Sequence, residues 1–237
     1  MDVDAATHLG VMVVNAPESN ILSAAEHTMA LLLSQARNVP QAHAALVAGR
    51  WERSKWEGVE LADKTLGVIG LGRIGRLVAQ RAAGFGMRII AHDPYVSAER
   101  ARRLSIDVVE LDDLLARPDC HPCTWPRPPR RWACSTPIGW PRPSRACGSS
   151  TWRGGLIDEA ALADAIRSGQ VAGAALDVFA AEPTTDSPLF ELAQVVVTPH
   201  LGASTREAQD KAGETIAEMV GLALNSDFVP RGERVRR

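Results

Sequence analysis

The sequence lacks an excess of charge of either sign. Its 26 Lys and Arg residues nearly balance its 28 Asp and Glu residues, which leaves a net charge of −2. A surface that binds nucleic acid or an anionic membrane usually needs a strongly basic balance. We therefore expect no nucleic acid and no membrane among the partners of this protein.

Long apolar runs are also missing. The longest apolar stretches are interrupted well before the roughly 20 consecutive apolar residues that cross a bilayer. The opening Met1-Asp2-Val3-Asp4 is acidic where a secretory signal peptide carries basic residues. The 237 residues are nevertheless 46% hydrophobic, enough to fill a sizeable core. We expect a cytoplasmic protein of one or two domains.

Cysteine is absent outside residues 118–152. This segment holds all four cysteines, four of the six tryptophans and eight of the fifteen prolines. Because each proline fixes φ and removes a backbone donor, we expect no strand or helix to form in it. A zinc-binding insertion is one alternative, using Cys120, Cys123, Cys134 and Cys147 with neighbouring arginines as a basic contact. Cys134 and Cys147 are not a second close pair, so we expect no metal site.

Three glycines at residues 70–75 join an apolar strand pattern to a helix pattern. Gly70, Gly72 and Gly75 have the spacing G-x-G-x-x-G. Gly70 would permit a tight turn, Gly72 would let the backbone approach a pyrophosphate, and Gly75 would let the helix pack on the strand. The helix that follows would offer the N–H groups of its first turn to phosphates, and Arg73 and Ile74, between Gly72 and Gly75, belong to the same predicted cofactor site. This pattern predicts a dinucleotide-binding turn.

A second strand pattern at 87–92 ends at Asp93. In dinucleotide-binding folds an acidic residue about 20 positions after the glycines binds the ribose hydroxyls. The carboxylate would also repel a 2′-phosphate. The sequence therefore predicts NAD as the cofactor in preference to NADP.

Strand and helix patterns alternate along most of the chain. Such alternation predicts an α/β fold with a doubly wound parallel sheet, a Rossmann domain. A capping box at Ser23 predicts the start of a helix that runs to about Asn38. Other strand patterns lie at 10–14, 107–109, 172–178 and 195–200, and other helix patterns at 77–85, 98–104, 111–116, 160–168 and 205–224.

Four motifs together resemble those of the D-isomer-specific 2-hydroxyacid dehydrogenase family. They are Gly-Leu-Gly-Arg-Ile-Gly at 70–75, Arg-Gly-Gly-Leu-Ile-Asp at 153–158, Leu-Asp-Val-Phe at 176–179 with Glu-Pro at 182–183, and Thr-Pro-His-Leu-Gly at 198–202. Segments 13–17, 23–27, 51–53 and 58–61 bring the chain nearest to family members that oxidise 3-phospho-D-glycerate.

The resemblance implies roles for three catalytic residues. His200 would exchange a proton with the substrate hydroxyl, and Glu182 would orient its imidazole. Arg153 would hold the carboxylate of a 2-hydroxy or 2-keto acid. Asp177, Gly202 and Ala203 would lie near the nicotinamide end of the cofactor.

The resemblance also implies a domain arrangement. Residues 1–44 would be a remnant of a flavodoxin-like substrate domain with its linking helix, and most of that domain would be missing. Residues 45–203 would form the NAD-binding domain, with 118–152 anomalous, and 204–237 would return to the substrate domain as a helix. The family is usually homo-oligomeric.

The implied activity is NAD-dependent oxidation of 3-phospho-D-glycerate to 3-phosphohydroxypyruvate in serine synthesis. A reductase of glyoxylate or hydroxypyruvate and a non-catalytic, NAD-binding remnant are the alternatives.

The genetic code offers an explanation of segment 118–152. Re-read from the third base of each codon, residues 146–152 can encode Gly-Val-Arg-Ile-Val-Asn-Val, which this family would place before Arg153. We hypothesise that a frameshift enters near Cys120 and is corrected just before Arg153, and we expect a chain with this segment to be inactive.

Overall fold

The computed structural model describes residues 2–97, 99, 101, 105–116, 147–149, 157–225 and 232–233. By internal contacts the chain divides into two compact units, Met1–Ser23 with Ala203–Arg237, and Ala24–Gly202. The described elements are α1 (Val3–His8), β1 (Val13–Val14), α2 (Ile21–Ala36), α3 (Val39–Val47), a 3-10 turn (Arg53–Lys55), β2 (Thr65–Ile69), α4 (Arg73–Gly84), β3 (Arg88–His92), β4 (Asp107–Val108), α5 (Leu111–Ala116), β5 (Cys147–Ser149), α6 (Glu159–Arg167), β6 (Ala174–Leu176), β7 (Val195–Val197), α7 (Arg206–Leu224) and β8 (Gly232–Glu233).

Two parallel sheets lie in the Ala24–Gly202 unit. One contains β2, β3 and β4 in that order, and β2 pairs with β3 from Thr65↔Arg88 to Ile69↔His92. The other contains β5, β6 and β7. Parallel neighbours need a crossover connection, and α4 supplies it between β2 and β3. The predicted parallel α/β, Rossmann-like fold is confirmed.

Helix α4 packs against the first sheet through a regular apolar stripe. Its buried residues Ile74, Val78 and Ala82 recur every four positions and so lie on one face of the helix. Leu66 and Val68 of β2 are fully buried. This packing fixes the Gly70–Gly72 turn between the carboxyl end of β2 and the amino end of α4.

The second sheet has its own core. Ala163 and Ile166 of α6 cluster with Leu176 of β6 and with Phe179 and Leu189 of the following loop. The rings of Phe179 and Phe190 meet edge to face at 5.3 Å. The core therefore anchors both ends of the loop that follows β6.

The Met1–Ser23 and Ala203–Arg237 unit contains α7 and an antiparallel pair of short strands. Val13 of β1 pairs with Glu233 of β8, and Val14 pairs with Gly232. Helix α7 begins after its N-cap Thr205, whose side chain accepts a hydrogen bond from the Ala208 N–H.

Two helix predictions need correction. Helix α2 begins at Ile21, before Ser23, so the predicted capping box is wrong. The Ser23 hydroxyl instead lies 2.7 Å from the Thr205 hydroxyl. The sequence patterns also miss α3, which has a proline in its first turn. Pro40 is tolerated there because the first N–H groups of a helix have no intrahelical acceptor.

The expectation that no strand forms within 118–152 is wrong. Residues Cys147–Ser149 form β5, which pairs in parallel with β6 from Cys147↔Ala174 to Ser149↔Leu176. The prolines of the segment end at Pro143, so the backbone donors at 147–149 remain available for a ladder. The rest of 118–152, with Cys120, Cys123 and Cys134 of the zinc alternative, lies outside the described residues.

Within the described ranges, no helix is long and apolar enough to cross a membrane. The same residues contain no group of three or more His, Cys, Asp or Glu side chains placed to hold a metal ion.

Candidate active site

The glycine turn has the backbone geometry that a phosphate site requires. Gly70 has φ +93°, a conformation that side-chain-bearing residues rarely adopt. Its N–H donates to the His92 carbonyl at 2.9 Å and ties the turn to the end of β3. At Gly72, an added Cβ would meet no atom within 4 Å. The turn is thus held firmly while its outer face stays open to a ligand.

Helix α4 presents its amino end at this open face. Its N-cap is Gly72, which makes no side-chain capping hydrogen bond. The Arg73 side chain is exposed, whereas Ile74 and Gly75 are buried. Ile74 and Gly75 could therefore contribute backbone N–H groups to a bound pyrophosphate, and Arg73 could add a cation.

The Asp93 carboxylate lies directly beside the turn. Its Oδ2 accepts a hydrogen bond from the Leu71 N–H at 2.8 Å, and its Oδ1 accepts one from the Tyr95 N–H at 2.9 Å. A carboxylate oxygen can accept two hydrogen bonds, so each oxygen retains capacity for a ribose hydroxyl. The glycines, the helix end and Asp93 together fit a dinucleotide.

Asp177, which follows β6, is a buried carboxylate with several donors. Its residue is only 4% exposed. Oδ1 accepts hydrogen bonds from the Thr198 hydroxyl at 2.5 Å and the Leu201 N–H at 2.7 Å, and Oδ2 accepts one from the Gly202 N–H at 2.8 Å. The side chain therefore fixes the loop that contains His200.

These donors decide the ionisation of Asp177. Burial by itself raises the pKa of a carboxyl group. The hydrogen bonds from His27, Thr198, Leu201 and Gly202 outweigh this effect and hold the pKa of Asp177 below its ordinary value. Asp177 is therefore an anion at neutral pH.

His27, on α2, donates into the same cluster. Its Nε2 lies 2.9 Å from Thr198 Oγ1 and 3.2 Å from Asp177 Oδ1. Because the Thr198 hydroxyl proton is donated to Asp177, both oxygens act as acceptors toward Nε2. The proton of His27 therefore sits on Nε2. Sequence reasoning assigned no role to His27 or Thr198, although both lie within the quoted motifs.

Glu182 and His200 form a short, accessible hydrogen bond. Glu182 Oε2 accepts from His200 Nδ1 at 2.7 Å, and their side chains are 31% and 55% exposed. Glu182 Oε1 accepts from the Phe179 N–H at 2.8 Å. With Nδ1 directed at Glu182, Nε2 is the nitrogen left to face a substrate.

The backbone around His200 is unusual. His200 has φ +55°, in the left-handed region, and its N–H donates to the Thr198 carbonyl. At Gly202 an added Cβ would meet Asp177 Oδ2 at 3.1 Å, a tight contact that the absence of a side chain avoids. The local geometry turns the His200 imidazole outward from the end of β7.

Most of the predicted site residues fall into two groups. Gly70, Gly72, Arg73, Ile74, Gly75 and Asp93 meet at the glycine turn, while Asp177, Glu182, His200 and Gly202 meet at the carboxyl ends of β6 and β7. Both groups belong to the Ala24–Gly202 unit. Ala203 belongs to the other unit, and Arg153 lies outside the described residues.

Comparison with protein families gives one match to most of the chain. The family of D-isomer-specific 2-hydroxyacid dehydrogenases matches through its NAD-binding domain, over residues 29–131 and 150–202. The matched residues include the glycine turn, Asp93, Asp177, Glu182 and His200.

Curated relatives of the chain include proteins named D-3-phosphoglycerate dehydrogenase. The chain is 57% identical to D-3-phosphoglycerate dehydrogenase of Mycobacterium bovis, over 97% of this chain and 44% of that protein. It is 45% identical to the enzyme of the same name from Methanocaldococcus jannaschii, over 96% of this chain and 44% of that protein. The chain thus spans less than half the length of these relatives.

Solved structures share the fold. A glyoxylate reductase from Paecilomyes thermophila superposes with a TM-score of 0.86 at 28% identity, over 100% of this chain and 72% of that one. The apo D-lactate dehydrogenase of Escherichia coli superposes with a TM-score of 0.87 at 26% identity, over 99% and 74%.

Proposed function

Because the chain belongs to the D-isomer-specific 2-hydroxyacid dehydrogenase family, we propose that it oxidises a D-2-hydroxy acid with NAD. The proposed reaction converts 3-phospho-D-glycerate to 3-phosphohydroxypyruvate and would supply serine synthesis. The identity to named D-3-phosphoglycerate dehydrogenases supports this substrate. The observation that carries the proposal is the exposed His200–Glu182 hydrogen bond in a chain with an NAD-binding turn.

His200 is the proposed acid and base. During oxidation, Nε2 of neutral His200 would accept the proton of the substrate hydroxyl. The carbon that bears this hydroxyl would lose a hydride, and its C–O bond would become a carbonyl. Bound NAD⁺ supplies the hydride acceptor. Glu182 holds the Nδ1–H and stabilises the imidazolium that forms. Reduction of the keto acid reverses these transfers.

The other predicted site residues have proposed binding roles. Gly70, Gly72, Arg73, Ile74 and Gly75 would hold the pyrophosphate, and Asp93 would hold the adenosine ribose. Asp177 retains one acceptor position on Oδ2, which, with Gly202, would face the nicotinamide end. Arg153 would bind the substrate carboxylate.

Two alternatives have specific support. A reductase of glyoxylate or hydroxypyruvate is favoured by the close superposition with a glyoxylate reductase. A non-catalytic NAD-binding remnant is favoured by the proline-rich composition of 118–152. That segment directly precedes Arg153, the proposed substrate anchor.

Turnover with several acids tests these alternatives. NADH formation by the purified chain is measured with 3-phospho-D-glycerate, D-glycerate and glycolate, and NADH consumption with glyoxylate and hydroxypyruvate. The proposal expects 3-phospho-D-glycerate to give the highest kcat/KM, and His200→Gln to abolish that turnover while NAD binding persists. If only glyoxylate and hydroxypyruvate are turned over, the proposed substrate is wrong and the chain is a reductase of these acids. NAD binding without any turnover would favour the remnant and would support the frameshift hypothesis, which resequencing the gene checks directly.

The proposal extends to location and assembly. We place the protein in the cytoplasm and propose that it forms homo-oligomers. Exposed apolar residues on and after α3, Leu46, Val47 and Trp51, offer a surface for self-association. Sedimentation velocity of the purified chain checks this, and a particle of monomer mass at micromolar concentration would contradict it.

A further inference from the structure

One carboxylate bridges the base of the loop that carries Glu182. Glu159 Oε1 accepts a hydrogen bond from the Ala180 N–H at 2.8 Å, and Oε2 accepts one from the Ser187 hydroxyl at 2.6 Å. Ala180 precedes Glu182 in the loop, and Ser187 follows it. The two oxygens of Glu159 therefore join the two sides of this loop.

Glu159 is itself held by a well-packed helix. It is the first residue of α6, whose N-cap Asp158 accepts a hydrogen bond from the Ala161 N–H at 3.0 Å. Ala163 and Ile166 anchor α6 in the core cluster that also contains Phe179 and Leu189. The bridging carboxylate is therefore attached to a helix that is anchored in the core.

Glu182 lies outside the buried core that holds α6. Its side chain is 31% exposed, and its carboxylate is placed by the Phe179 N–H and by His200. A displacement of about 1 Å would lengthen the 2.7 Å contact with His200 Nδ1 beyond hydrogen-bond range. The loop must therefore be held in place for the Glu182–His200 pair to persist.

We propose that Glu159 is a positioning residue that holds Glu182 against His200. It acts through the loop and does not touch the reacting atoms. The inference rests on the proposed function, in which Nε2 of His200 exchanges the substrate proton. By keeping Nδ1 protonated and directed at Glu182, Glu159 keeps the Nε2 lone pair available for that proton.

The tautomer of His200 tests this without turnover. Imidazole ¹⁵N spectra of the full chain are recorded well above the ordinary histidine pKa of about 6.5, and His200→Gln identifies the signal. In the wild type, a charge-assisted hydrogen bond favours the Nδ1–H form by about tenfold or more. In Glu159→Ala we expect the ratio of the Nδ1–H to the Nε2–H tautomer to fall several-fold, because Glu182 moves away from His200.

Two variants separate positioning from general damage to the helix. Glu159→Gln keeps an oxygen for the Ala180 N–H and can donate its amide to the Ser187 hydroxyl, so we expect it to restore the wild-type tautomer. Asp164→Ala removes an exposed carboxylate, paired with Arg167, from the same helix and should change nothing.

A wild-type tautomer in folded Glu159→Ala would overturn the proposal, as would an equal change in Asp164→Ala. If Glu159→Ala does not fold, Ser187→Ala removes one arm of the bridge and should lower the Nδ1–H excess, and an unchanged excess there would overturn the proposal too. If the chain fails to oxidise hydroxy acids, the proposed function is refuted. The tautomer of His200 can still be measured in these variants, because that measurement does not depend on turnover.

Discussion

Asp177 gathers four hydrogen-bond donors around one buried carboxylate. Two of these, the Leu201 and Gly202 N–H groups, lie immediately after His200 in the chain. The ionised Asp177 side chain therefore holds the backbone next to His200, the proposed acid and base. The same hydrogen bonds that lower its pKa also make the folded state sensitive to acid.

Asp177→Asn should make the protein less stable and its stability less dependent on pH. The pKa of Asp177 is lowered on folding, so its stabilising effect is complete above the ordinary aspartate pKa of about 3.9 and is lost as the pH falls through the lower folded pKa. At neutral pH we expect a loss of about 1.5–3 kcal/mol in the free energy of unfolding, since an amide cannot accept all four hydrogen bonds.

Urea unfolding between about pH 7 and pH 3 measures this effect. Asp164→Asn, at a carboxylate whose side chain is 78% exposed, is the control and should keep the wild-type pH dependence. An Asp177→Asn protein whose stability falls with acid as steeply as the wild type would contradict the assignment.

Individual residues differ in how well the sequence predicts them. The placement of Asp93 beside Gly70 and Gly72 could be predicted because it depends on local spacing. His27 and Thr198 could not, because His27 lies 150 residues from Asp177 and their contact depends on tertiary packing. The bridge made by Glu159 was missed for the same reason, since Ala180 and Ser187 lie 21 and 28 residues away.

At the scale of elements, the turn between β2 and α4 separates two uses of glycine. Gly70 serves the fold, because its φ of +93° suits no side chain. Gly72 has an ordinary φ of −64° and open space where a Cβ would be. The backbone conformation does not require glycine at Gly72. The absence of a side chain there therefore matters for a ligand that approaches the backbone.

Gly72→Ala should weaken NAD binding and lower stability by at most about 1 kcal/mol, because alanine is a poorer N-cap than glycine. A methyl group there would keep the pyrophosphate from the backbone, and losing one charge-assisted hydrogen bond weakens binding by roughly 10- to 150-fold. Gly70→Ala, the comparison variant, should destabilise the protein by about 1–3 kcal/mol through backbone strain. Titration calorimetry gives the affinities, and urea unfolding gives the stabilities. Unchanged NAD affinity in Gly72→Ala would remove the turn from the proposed cofactor site.

Elements with strong apolar periodicity could be predicted, and others could not. Helix α4 and strand β3 were recognised because their buried residues repeat at the spacing of their element. Strand β5 could not be predicted from the composition of 118–152, because the prolines of this segment all lie at 118–143 and none lies in the strand. Its three residues pair through backbone atoms, whose ability to form a ladder does not depend on the neighbouring composition.

At the scale of the whole molecule, cofactor binding and folding are linked. The glycine turn, Asp93, Asp177 and the Glu182–His200 pair all belong to the Ala24–Gly202 unit. A ligand that binds only the folded form of this unit raises its free energy of unfolding by mass action. NAD is therefore expected to protect the molecule as well as to take part in its reaction.

At a free concentration 100 times its Kd, NAD should raise the free energy of unfolding by about 2.7 kcal/mol. NADP at the same concentration should stabilise less, because its 2′-phosphate would lie near the Asp93 carboxylate. Urea unfolding with each nucleotide measures both effects. Asp93→Asn removes the negative charge and should reduce the difference in stabilisation between NAD and NADP. Equal stabilisation of the wild type by the two nucleotides would contradict the proposed role of Asp93.

The contact between His27 and Asp177 also affects how the molecule is made. A ribosome that adds about 5–20 residues per second completes the intervening 150 residues in roughly 8–30 s. During that time α2 has already been synthesised. The His27 imidazole on this helix has neither Asp177 nor Thr198 to accept its hydrogen bond. The apolar side of the nascent helix, with Leu31 awaiting Ala175 and Val196, is likewise uncovered. Synthesis therefore leaves the apolar side of α2 without its packing partners until β7 has been translated.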